Sequence, residues 1–96
     1  MSRFKVDYYS EGDVLYTYLD NPEEAGEGST DDGAGLLYRV SAKTGKPCGV
    51  TVLDLKATYG VLGADALCFN IQHFLKEVTL KEVENEIYPI LGYKQS

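Results

Sequence analysis

Phe4-Lys5-Val6-Asp7-Tyr8-Tyr9-Ser10-Glu11-Gly12-Asp13-Val14-Leu15-Tyr16-Thr17-Tyr18-Leu19 decides how the rest of the chain is read. Phe4, Val6 and Tyr8 alternate with Lys5 and Asp7, the period of two that sends apolar side chains to one face of a strand. Ser10-Glu11-Gly12-Asp13 supplies turn chemistry, and Gly12 is the residue expected to take a positive φ. Val14 to Leu19 then resumes a strand rich in β-branched and aromatic residues. Val14, Tyr16 and Tyr18 share one of its faces; Leu15, Thr17 and Leu19 share the other. Two apolar faces predict a central strand, or one whose outer face a helix covers. The segment reads as a β-hairpin.

A second hairpin is expected over Leu36 to Leu55. Leu36, Tyr38 and Val40 lie on one face, Lys43-Thr44-Gly45-Lys46-Pro47 makes the turn, and Cys48, Val50 and Val52 share a face of the returning strand. Between the hairpins, Asp20 to Gly35 has no period and holds Pro22, Gly26, Gly28, Gly33 and Gly35, the composition of a solvated connection. From Asp65 the period becomes helical. Leu67, Cys68, Ile71, Phe74 and Leu75 form one stripe, with Asp65 as the expected cap. Thr79-Leu80-Lys81-Glu82 has capping-box spacing, and Val78 and Val83 stand at staple positions. The helix that starts there is expected to bury Leu80, Val83 and Ile87 and to end or kink near Tyr88, because Pro89 disfavours helix in the residue before it.

The expected fold is therefore α+β: a four-stranded antiparallel sheet from two β-hairpins, followed by two C-terminal helices packed on it. Ninety-six residues with 44% hydrophobic and 25% charged side chains suit one small domain. It divides into a sheet part (4–55), a connector (56–64) and a helical part (65–96). No apolar run approaches the ~20 residues of a membrane span. The first residues also lack the apolar core of a signal peptide. Two cysteines permit one bridge at most, and a reducing cytoplasm with both thiols free is the simplest reading.

Charge is unevenly spread. Asp20, Glu23, Glu24, Glu27, Asp31 and Asp32 are six of the 15 acids, and the stretch that holds them has no base. The other nine acids balance the nine bases, so the net charge of −6 belongs to this one segment. Such a segment repels phosphate, and nucleic acid is disfavoured as a partner.

Tyr9-Ser10-Glu11-Gly12-Asp13-Val14-Leu15-Tyr16-Thr17-Tyr18-Leu19 resembles the opening of a family of short bacterial domains of unknown function. Their hallmark is a Tyr, an acidic turn and then Asp-x-Leu-Tyr-x-x-Leu. The second half of the pattern is similar to Gly35-Leu36-Leu37-Tyr38, then Gly45, then Gly49-Val50-Thr51-Val52-Leu53-Asp54. The likeness covers about residues 4–57. It departs at Ser10, where an Asp is usual, and in the longer acidic loop. The resemblance implies a small β-rich module that self-associates or binds a partner, with no catalytic residues to carry over.

Each group suited to chemistry also has a plainer reading. Cys68 and His73 lie about 140° apart around a helix, so they do not form a nucleophile–base pair. Both cysteines fall on apolar faces, where a thiol behaves as a small hydrophobe. His73 and Glu77 share a helix face, but a metal site wants a third ligand. The acidic segment lacks the ligand spacing of an EF-hand, and no Lys-Ser/Thr follows its glycines to cradle phosphate. The last two helices lack the charge of a DNA reader, since Lys81 stands against Glu82, Glu84 and Glu86. No enzyme, cofactor or metal is expected.

Eight tyrosines remain. Tyr8, Tyr16, Tyr18 and Tyr38 fall on paired strands and are expected to cluster, either filling the core or lining an exposed face for a partner. The expected function is a non-enzymatic protein-interaction or regulatory module. Its partner-binding residues would be Glu23, Glu24, Glu27, Asp31, Asp32, Tyr16, Tyr18 and Tyr38, and its partner an unknown protein or a second copy as a homodimer. Two alternatives are an antitoxin-like acidic inhibitor of a basic partner and a small-ligand or cation-binding domain.

Overall fold

A computed structural model describes residues 3–19, 30–31, 35–41, 43–60 and 63–92, with Thr30 and Asp31 described in backbone only. Four long strands are present: β1 (Phe4–Tyr9), β2 (Val14–Leu19), β4 (Leu36–Val40) and β5 (Pro47–Val52). A two-residue strand, β3 (Thr30–Asp31), lies outside β4, and the antiparallel sheet runs β1-β2-β5-β4-β3. Three helices follow, α1 (Leu55–Tyr59), α2 (Ala64–Leu75) and α3 (Leu80–Leu91). The α+β architecture, with both hairpins in one sheet and two long helices behind it, matches the expectation from periodicity. None of these helices is long and apolar enough to cross a membrane.

Among the described residues, helices cover one side of the sheet only. Phe4, Leu15, Leu19, Leu36, Val50 and Val52 from the strands meet Leu67, Cys68, Ile71 and Leu75 of α2 and Val83 and Ile87 of α3 in one buried cluster. Among them, Leu15, Val50, Val52, Leu67, Ile71, Val83 and Ile87 have no exposed surface. Packing at this density holds the two layers together. Thr17 is the polar exception on this face. Its Oγ1 donates to the Val50 carbonyl (2.8 Å) and accepts from the Val50 N–H (3.1 Å), so the hydroxyl is satisfied within the sheet. The approach is close at this point, because a Cβ on Gly49 would stand 2.5 Å from the Thr17 carbonyl oxygen.

The first turn differs from its expectation. Asp13, not Gly12, takes the left-handed conformation, at φ 53°. An aspartate tolerates that region better than most side chains, and its position gives its carboxylate work to do. It accepts from the Tyr8 hydroxyl (2.7 Å) and from the Lys56 and Ala57 N–H groups (2.9 and 3.0 Å), while its own carbonyl accepts from the Leu55 N–H. These are the orphan donors at the start of α1. The turn of the first hairpin thus caps a helix whose Lys56 N–H lies 43 residues further on. Asp54, the residue before that helix, makes no side-chain cap bond. These donors hold the Asp13 carboxyl below its ordinary value of 3.8, the Lys56 N–H being the largest cause.

Four further expectations are corrected. Part of the segment read as a solvated connection, Thr30–Asp31, is a short edge strand against Leu37 and Tyr38. Asp65 does not cap α2: Gly63 precedes the helix at φ 91°, and the Asp65 carboxylate instead accepts from the Tyr88 hydroxyl of α3. Leu80 is 38% exposed rather than buried. Lastly, α3 continues through Pro89 to Leu91 and ends at Gly92, φ 83°. Proline removes the bond to the Asn85 carbonyl and crowds that carbonyl, and Ile90 and Leu91, packed against the core, offset this in the last turn. The Thr79–Glu82 capping box forms as read, with Glu82 N–H donating to Thr79 Oγ1 at 3.1 Å. Val78 and Val83 are both buried beneath it.

Candidate functional site

The face of the sheet turned away from the helices carries the other half of the period-two pattern. Lys5, Asp7 and Tyr9 of β1 stand opposite Tyr18, Tyr16 and Val14 of β2 in register. Tyr16 and Tyr18 in turn face Thr51 and Gly49 of β5, and Leu37 and Arg39 of β4 complete the row. The absence of a side chain at Gly49 leaves the middle of this face low. Val14, Tyr16, Leu37, Arg39, Thr51 and Leu53 enclose a shallow groove of about 230 Å³. Three of the lining side chains are aliphatic, and the others bring a hydroxyl (the buried Thr51), a guanidinium and a phenol.

Two aromatic residues rise beside the groove. Tyr9 and Tyr16 meet edge to face, with centroids 5.6 Å apart and planes at 89°. Tyr9 is 62% exposed and Tyr16 37%. Nearby, the Tyr18 hydroxyl donates to Asp7 Oδ2 at 3.1 Å. Partial burial and that carboxylate raise the Tyr18 hydroxyl above its ordinary value of 10.0. The result is an amphipathic surface of phenols, aliphatic groups and one arginine, the composition enriched at the centres of protein interfaces.

Tyr16 and Tyr18 thus stand on the face turned away from the helices. Tyr38 does not. Its register partner Val50 lies on the helix side, and its ring packs 4.8 Å from that of Phe74. Tyr8 is also on the helix side, with Lys56 Nζ 5.3 Å from its ring centroid. The four tyrosines therefore split between faces, and the expected single cluster of Tyr8, Tyr16, Tyr18 and Tyr38 does not form. Tyr9, Leu37, Arg39 and Leu53 join the site although the sequence reading does not single them out. A local signal exists for two of them: Tyr9 follows Asp7 and Leu53 follows Thr51 at a spacing of two. Leu37 and Arg39 share a face with each other by alternation, but only the pairing of β4 with β5 sets that face beside Thr51 and Gly49. Glu23, Glu24, Glu27 and Asp32 lie outside the described residues. Asp31 is placed by its backbone in β3, directly opposite Leu37.

A second concavity lies on the helix side, at the end of β4 and β5. Tyr38, Val40, Pro47, Asn70, His73, Phe74 and Lys76 line an open cleft of about 620 Å³. His73 stacks on Phe69 at 5.9 Å, and Glu77 turns away to pair with Arg3 at 3.0 Å, so the two do not form a joint site. Cys48 and Cys68 are both buried thiols. Cys48 donates to the Arg39 carbonyl at 3.5 Å. Burial, with the carboxylates of Glu84 and Asp65 nearby, pushes the Cys68 thiol up to about 12. A thiol held protonated in this way is a poor nucleophile. Among the described residues no three of His, Cys, Asp and Glu gather as a metal set.

Tyr88 links the two long helices. Its hydroxyl donates to Asp65 and also lies 3.0 Å from Glu84 Oε2. The Asp65 contact is the main cause of a hydroxyl held well above the ordinary tyrosine value. This cluster sits at a helix–helix seam and belongs to packing.

No family model matches the chain, and comparison with curated proteins and with solved structures found no match.

Proposed function

We propose that the chain is a non-enzymatic protein-interaction module that docks a protein partner on its uncovered sheet face. One observation carries this reading: among the described residues the helices bury a single side of the sheet, and the other side carries an aromatic pair, a groove lined by Val14, Leu37 and Leu53, and Arg39. Tyr9, Tyr16 and Tyr18 supply the contact area, with few rotatable bonds to fix on binding. Glu23, Glu24, Glu27, Asp31 and Asp32 add a strongly acidic element to the same chain, which favours a partner of basic surface. The resemblance to short bacterial domains of unknown function belongs to the same proposal, because the residues that carry it, 4–57, build this sheet. Two unpaired thiols suit a reducing cytoplasm.

The test is affinity capture from the source cells with the wild type and with a Tyr9→Ala/Tyr16→Ala variant of unchanged melting temperature. The wild type should retain a basic protein in fixed ratio, and the variant should lose it. A second variant with Glu23, Glu24, Glu27, Asp31 and Asp32 neutralised should bind more weakly and with a shallower salt dependence. Equal retention by all three proteins would remove both elements from the account. If the retained protein is a nuclease, the module acts as an acidic inhibitor.

One observation favours a second reading. The helix-side cleft combines Tyr38, Val40, Pro47 and Phe74 with His73, Asn70 and Lys76 at its rim, a lining suited to a small carboxylate with an apolar body. A rise in melting temperature with such acids, abolished by Lys76→Ala, would support it. No shift across the series would set it aside.

A further inference from the structure

The sheet has two ends, and they are unlike. β3 is two residues long, whereas β1 has six residues paired to β2 in unbroken register from Phe4–Leu19 to Tyr9–Val14. Among the described residues β1 has no sheet neighbour on its far side, so alternate residues turn their N–H and C=O groups outward. Chains usually blunt such an edge with a proline, a bulge, very short length or charged side chains. β1 has only the last of these: Lys5 and Asp7, both exposed, on the open face and two positions apart. Charges of opposite sign oppose indiscriminate pairing but permit a register that matches them.

That spacing is informative when a second copy is laid antiparallel along β1. Opposed residues must share a face, so the two-fold axis must pass through a residue position. An axis at Lys5 sets two ammonium groups against each other, and one at Asp7 sets two carboxylates together. An axis at Val6 places Lys5 of each copy opposite Asp7 of the other. It also places Phe4 opposite Tyr8 on the helix side. Of these registers only the one about Val6 sets no like charges together, and it pairs Lys5 with Asp7 twice.

We propose that β1 is a self-recognition edge, through which two copies pair antiparallel about Val6 with reciprocal Lys5–Asp7 contacts. Two five-stranded sheets join into one of ten, close to the upper size of a twisted open sheet. The joint surface carries the Tyr9, Tyr16 and Tyr18 sets of both copies on one side. The α3 helices, which lie over β1, come alongside each other on the opposite side. Pairing at this edge leaves the groove between β2, β5 and β4 open and stands apart from whatever occupies it.

Charge reversal tests the register. Lys5→Asp creates a strand with two carboxylates, and Asp7→Lys one with two ammonium groups. Either alone sets like charges opposite each other, twice. Native mass and sedimentation of the full chain should show a wild-type dimer. Each variant should dimerise at least about tenfold more weakly. An equimolar mixture of the two variants should regain the wild-type affinity as a heterodimer, since opposite charges are again in register. The substituted sites are exposed, and an unchanged circular dichroism spectrum and melting temperature would show that both variants fold. A wild type that stays monomeric at high micromolar concentration overturns the proposal. So does a dimer that both variants form as well as the wild type, or a mixture that fails to regain affinity.

Discussion

The two faces of one sheet are made by the same strands, residue by residue in alternation, yet they differ in nearly every physical respect. Leu15 has no exposed surface, while Tyr16, the next residue, is 37% exposed. Toward the helices the side chains are aliphatic or aromatic, and the one buried hydroxyl, Thr17, is satisfied by Val50. Away from the helices they are phenols, Lys5, Asp7, Arg39 and a few aliphatic groups around a groove. The first face is spent on stability. The second exposes phenols, aliphatic groups and charges side by side.

The largest effect expected from this comparison is at Leu15. Leu15→Ala should cost about 2–5 kcal/mol by opening a cavity against α2 and α3, measured as a fall in urea midpoint with unchanged slope. Thr17→Val should follow at about 1–3 kcal/mol, because it keeps the shape and leaves the Val50 N–H and carbonyl without their partner. Thr17→Ser should restore most of that loss. A Thr17→Val protein as stable as the wild type would mean that the helix-side face needs no polar tie.

Asp13→Asn comes next, at about 1–2 kcal/mol, since an amide keeps one acceptor but loses the charge that holds Lys56, Ala57 and Tyr8. The same residue gives a pH signature. Its carboxyl is held below 3.8 in the folded chain, so its contribution is present above that value and is lost as pH falls through the lower, folded one. The wild type should therefore shed more stability on acidification than Asp13→Asn does. Parallel acid limbs would contradict the capping role. Tyr8 and Tyr88, both raised above 10.0, work in the opposite sense. Their contribution is present below pH 10 and fades as pH rises through their folded values, so Tyr88→Phe should flatten the alkaline limb.

The smallest expected change in stability is at Tyr16. Tyr16→Ala should cost under about 1 kcal/mol, the loss of one edge-to-face contact on a partly exposed surface. If it cost as much as Leu15→Ala, the open face would be a second core and the distinction between faces would fail.

Legibility from the sequence follows the range of the interactions involved. Strands, both hairpins and the apolar stripe of α2 depend on local periodicity, and Phe4 to Leu19 and Leu67 to Leu75 are readable for that reason. The Thr79–Glu82 box is likewise contained within four residues. What escapes depends on contacts distant in sequence. The short helix α1 is capped by Asp13 from another turn, so nothing near Leu55 announces it. Pro89 reads as a stop because its local penalty is visible, whereas the core contacts of Ile90 and Leu91 that offset it are not. Tyr38 groups with Tyr16 and Tyr18 in the sequence because alternation defines faces within a strand but does not relate the faces of different strands. That relation needs the pairing of β2 and β4 with β5, which brings Tyr38 beside Val50 and Tyr16 beside Thr51.

The contact role of the open face is tested most directly by hydroxyl-radical footprinting of Tyr9 and Tyr16 in the purified protein and in lysate of its source cells. Phe69, 55% exposed on α2, serves as the internal reference. Modification of Tyr9 and Tyr16 should fall in the lysate while that of Phe69 holds, because a bound partner covers the tyrosine face and leaves the helices bare. Equal reactivity of the two tyrosines in both settings would contradict the account.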